Sequence, residues 1–80
     1  MLTIHWIALR RDGTRGVVER TAFAGDSLSE AMAEGRAHFD AVRQRHPDGP
    51  PDGFIVLDEA GHEIGRYFAP GTFDKGDRPR

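Results

Sequence analysis

Three features of this 80-residue chain point to a two-layer α+β domain of order β-β-α-β-β. Segments rich in strand formers lie in pairs at the two ends of the chain, each pair joined by a glycine-bearing turn. Between the pairs runs one apolar stripe at helical spacing. The two segments apolar on both faces come one from each pair, so they belong at the centre of a shared sheet. Together these features predict a four-stranded antiparallel sheet in the order 2-1-3-4 with one helix on one face.

The first strand is read from Leu2 to Arg10, with Ile4, Trp6 and Ala8 on one face and Thr3, His5, Ile7 and Leu9 on the other. Arg11-Asp12-Gly13-Thr14-Arg15-Gly16 supplies the Asp-Gly pair of a hairpin turn. The return strand, Val17 to Ala24, is expected to carry Val17 and Phe23 on one side and Val18 and Ala22 on the other. Glu19, Arg20 and Thr21 interrupt its apolar character, which suits a sheet edge.

Gly25-Asp26 closes this hairpin, and Ser27-Leu28-Ser29-Glu30 has the form of a capping box. Leu28, Met32, Gly35, Phe39 and Val42 repeat at three-to-four spacing with Ala31 beside them, forming one face of a helix. A glycine inside a helix costs about 1 kcal/mol against alanine. Gly35 within the stripe therefore predicts a close approach of helix backbone to sheet. Arg43, Arg45 and His46 suit the negative end of the helix, and Pro47 stops it near Arg45. His46 to Gly53, with three prolines and two glycines, reads as a loop.

Phe54 to Asp58 is apolar on both faces and reads as the second central strand. Glu59-Ala60-Gly61-His62 forms a turn with Gly61 in the left-handed region, and Glu63 to Ala69 returns half-exposed. One domain is expected over residues 1–69, followed by a flexible tail from Pro70 to Arg80 with Phe73 its one anchor.

Composition narrows the function classes. Eleven Lys and Arg against thirteen Asp and Glu leave a net charge of −2 and a sequence pI near 6.0. Nucleic-acid-binding domains commonly exceed a pI of about 9. Without cysteine, there are no disulfides, thiolate metal sites or cysteine nucleophiles. No apolar run exceeds the four residues of Phe54–Leu57, far below the ~20 of a membrane span, and the amino-terminal segment has no secretory pattern. A cytoplasmic protein without membrane contact is expected.

The run Ser27–Glu34, followed by Val56-Leu57-Asp58-Glu59-Ala60-Gly61-His62-Glu63-Ile64, resembles short bacterial β-β-α-β-β proteins of unknown function. That resemblance covers residues 2–69 and implies a fold but no activity. Gly25-Asp26-Ser27-Leu28-Ser29-Glu30-Ala31 is also similar to the helix entry of the small domain of HicB-type antitoxins, which implies a regulatory alternative. Those domains carry a Pro-Gly-Cys segment before the motif, where this chain has Glu19–Ala24.

The chemistry-bearing residues are dispersed. His38 and His46 are eight apart, not at the four-residue spacing of a helical zinc pair, and no metal or other cofactor is expected. Ser27 and Ser29 sit at the helix start, where capping accounts for Ser27, and no Gly-x-Ser-x-Gly elbow surrounds either. The acid pairs Asp58/Glu59 and Asp48/Asp52 fall in turns and loops, so no catalytic residue is assigned. Arg10, Arg11, Arg15 and Arg20, with Trp6 beside them as a stacking ring, form the alternative nucleic-acid site.

One helix covers one face of four strands, yet both faces carry apolar side chains. A face left bare invites a second chain. The expectation is a non-catalytic protein-binding module, its partners beginning with itself as a homodimer, acting through an apolar sheet face or an edge strand. Trp6, Ile7, Leu9, Ile55, Leu57 and Tyr67 are its expected partner-binding residues.

Overall fold

A computed structural model describes residues 1–69; the expected tail and Phe73 lie outside the described residues. The chain forms β1 (Leu2–Leu9), β2 (Arg15–Phe23), α1 (Leu28–Arg45), β3 (Gly53–Leu57) and β4 (Glu63–Phe68). All neighbouring strands are antiparallel, in the order β2-β1-β3-β4. The strands apolar on both faces, β1 and β3, are the central ones. The edges fall to β2 and β4, where charged residues interrupt the apolar pattern.

The two hairpins turn in the same way. In the first, Arg10 N–H donates to Thr14 O and Gly13 N–H to Arg10 O; in the second, Asp58 N–H donates to His62 O and Gly61 N–H to Asp58 O. Gly13 (φ +89°) and Gly61 (φ +88°) occupy the left-handed positions that such turns require. An aspartate braces each turn: Asp12 accepts from the Thr14 N–H and hydroxyl, and Asp58 from the Ala60 and His62 N–H groups.

Ser27 caps α1, its hydroxyl accepting from the Glu30 N–H at 3.2 Å. The helix ends at Arg45 as Pro47 requires, and the His46 N–H folds back to Arg43 O. Its buried face is Ala31, Gly35, Phe39 and Val42, laid on β1, β3 and β4. These meet Leu2, Ile4, Trp6, Phe54 and Val56 in one core cluster. A Cβ on Gly35 would run into the ring of Phe54, so helix and sheet touch there as closely as backbone allows.

Each edge strand carries an irregularity. Between β1 and β2 the register shifts, Trp6 pairing with Glu19 but Ile7 with Val17, which leaves Val18 as the extra residue of a bulge. Val18 packs against the core, together with Phe23. Val17 shares a row with Ile7 and Ala22 a row with Thr3, on the opposite side. Strict alternation, which groups Val17 with Phe23 and Val18 with Ala22, is therefore wrong for β2. The second shift makes Ile64 the extra residue opposite Val56/Leu57.

Asp52 ties the open end of the sheet together. Its N–H donates to Ile7 O, its carboxylate accepts from the Leu9 N–H at 2.7 Å, and its carbonyl accepts from the Ala69 N–H.

Candidate functional site

The side of the sheet away from α1 is built from cross-strand rows. One runs Arg20–His5–Ile55–Arg66, the next Ala22–Thr3–Leu57–Glu63, and a third Val17–Ile7–Gly53–Phe68, with Arg15 beside Leu9 at the end. Since Ile4 and Trp6 point into the helix-covered core, the residues between and beside them on β1 face outward from it. Leu9, Ile55 and Leu57 are half-buried on this bare side.

Ile7 belongs to the same side but is only 2% exposed. Gly53, its neighbour in β3, leaves a gap: a side chain there would meet the Phe68 ring and the Tyr67 carbonyl. Phe68 occupies that space, and the Arg15 guanidinium lies 5.7 Å from its ring centroid. Ring and guanidinium roof this end of the face. Ile7 is thus interior packing on the helix-free side and not a contact for a partner.

Two further expected contact residues lie on the other side of the sheet. Trp6 is 1% exposed within the helix-covered core, its indole N–H donating to Thr21 Oγ1 at 3.0 Å. Tyr67 stands edge-on to Phe39 at 5.8 Å and packs against Phe54. Both lie under α1 because their cross-strand neighbours, Phe54 among them, point that way. Of the six expected residues, the structure brings Ile55 and Leu57 together on the side away from α1, whereas Leu9 stands apart at the end of β1, beyond the Ile7–Gly53–Phe68 row.

The four arginines of the nucleic-acid alternative do not form one patch. The Arg10 guanidinium lies over Gly16 in the Ala8 row, on the helix side, and Arg11 sits in the exposed turn. Arg15 and Arg20 face the opposite side. Trp6, buried under the helix, offers no stacking surface beside them.

What sequence reasoning missed is Arg66. It joins the row of Arg20 and His5 and is held by Glu63, with an Nε–Oε2 distance of 2.7 Å. Its signal was the period of two in β4, which sets Arg66 opposite Gly65 and Tyr67. His5, in the middle of this row, has its pKa lowered from the ordinary 6.5, first by burial and then by the Arg20 charge. It is therefore neutral at pH 7.

Elsewhere the titratable groups make structural pairs. Glu19 faces the helix and accepts from Arg45 and from His46, which ties β2 to the end of α1. The Arg45 guanidinium, aided by His46, holds the Glu19 carboxyl below the usual glutamate range. His38 pairs with Glu34 one turn earlier at 3.0 Å, both well exposed. Among the described residues no three His, Asp or Glu side chains are grouped to hold a metal ion. A cleft of about 120 Å³ between α1 and β2, floored by Ile4, Trp6 and Val42, is small against the ~300 Å³ lower range of ligand pockets.

No helix among the described residues is long and apolar enough to cross a membrane. Compared with protein-family models, curated proteins and solved structures, the chain matches none.

Proposed function

We propose that this chain is a non-catalytic binding module that receives a second polypeptide on the helix-free face of its sheet. The observation that carries this reading is the pair Ile55 and Leu57, held half-buried on a face that has no covering layer among the described residues. Apolar side chains there gain about 25 cal/mol for each Å² removed from water, so a second chain that closes over them is stabilised. The histidines and acids are dispersed, with no three of them grouped to hold a metal ion among the described residues, which supports a binding role over a catalytic one.

A homodimer is the form of this reading that needs no other molecule, because twofold pairing buries the same face twice. The exposed edges β2 and β4 offer the second route, by strand addition. Sedimentation equilibrium of the wild type and of Ile55→Lys, from low to high micromolar, tests both. A dimer through the face dissociates in Ile55→Lys, whereas a dimer through an edge persists. A strict monomer removes the homodimer and leaves binding of a different chain.

A further inference from the structure

The charge around the bare face distinguishes between possible covers. The chain carries a net −2, yet the strand residues of this face include Arg15 and Arg20 on β2 and Arg66 on β4 against one acid, Glu63. The apolar pair Ile55 and Leu57 thus has Arg20 on its β2 side and an Arg66 already held by Glu63 on its β4 side, which leaves a net positive face on an acidic molecule. We infer that the occupant of this face is an acidic amphipathic segment of a partner protein, its apolar side chains on Ile55 and Leu57 and its carboxylates on Arg20. This rests on the docking reading above and names the partner's chemistry.

Two alternatives fit less well. A second copy brings an identical arginine-flanked face, so face-to-face pairing sets like charges against each other in a drying interface. A nucleic acid meets the arginines but finds aliphatic side chains at the centre, with Trp6 on the other side and Phe68 beneath Arg15. Stacking platforms for bases are normally exposed aromatic rings. A peptide carboxylate, by contrast, matches the fork of a guanidinium in two parallel hydrogen bonds.

The test is selection of a displayed library of random 16-residue peptides on the folded chain, followed by fluorescence anisotropy of the enriched peptides. Enriched sequences should interleave apolar residues with Asp or Glu. Their affinity should fall about tenfold or more in Arg20→Glu, whereas Arg36→Glu, an equal charge change on the exposed helix, should leave it within about twofold. Ile55→Lys should abolish binding, with amide NMR dispersion verifying that each variant is folded. Neutral or basic peptides that ignore Arg20→Glu but are lost in Ile55→Lys overturn the acidic partner and keep the docking face. A dimer that Ile55→Lys dissociates does the same by placing a second copy there. Tighter binding of a twelve-uridine RNA than of any peptide, lost in Arg20→Glu, assigns the face to nucleic acid and overturns the inference. Peptides indifferent to Ile55→Lys, or no enrichment, overturn the docking face itself.

Discussion

Asp52 makes contacts to two strands from one loop position. Its carboxylate accepts the Leu9 N–H, while its main chain bonds to Ile7 and Ala69. Asp52→Ala removes only the side-chain part and leaves a partly buried N–H without its acceptor, a loss of about 1–3 kcal/mol. Asp52→Asn retains an oxygen and should lose clearly less. Urea unfolding of the two variants checks the order; equal losses would mean that the carboxylate charge matters, not the hydrogen bond. This role was hidden in the sequence, where Asp52 appears as one acid in a proline-glycine loop. Nothing local says which strand its side chain reaches 43 residues away.

At the scale of the elements, helix propensity and packing disagree at Gly35. Propensity alone favours Gly35→Ala by about 1 kcal/mol. The added methyl, however, meets the Phe54 ring, which is fully buried between Trp6 and Tyr67 and has little room to move. Overpacking of this kind costs about 1–3 kcal/mol, so the substitution should destabilise on balance. A rise in melting temperature for Gly35→Ala would show that the ring yields. Phe54→Leu in the same background should recover part of the loss by making space. Here the sequence was informative, because a glycine in the apolar stripe has few explanations besides a close approach. The β2 bulge was less legible: Val17-Val18 fits a regular strand equally well, and only pairing with β1 shows the extra residue.

For the molecule as a whole, stability should fall with acidification in two stages. His5 has a lowered pKa in the folded state, so below 6.5 the unfolded chain takes up a proton that the fold resists. Stability therefore declines as pH drops from 6.5 through the folded pKa. Glu19 is also held below its ordinary 4.5, by Arg45 and then His46. Its contribution is complete above 4.5 and is lost as pH falls towards the folded value. Denaturant midpoints from pH 7 to 3 should show both declines, His5→Gln removing the first and Glu19→Gln flattening the second. An unchanged first decline in His5→Gln would place that titration on another group. Arg20, which adds to the lowering of the His5 pKa, also contributes positive charge to the side of the sheet away from α1.

Periodicity, a serine cap and two turn glycines were enough to place every strand and the helix, since those signals act over a few neighbouring residues. Apolar side chains on both faces of two strands sufficed for the sheet order, because such strands lose most when left at an edge. The face that meets solvent was another matter. Burial of Ile7 under Phe68 and Arg15, the place of Trp6 and Tyr67 beneath the helix, and the division of the arginines between two sides all depend on register across strands. That register brings together residues far apart along the chain, and no local pattern contains it.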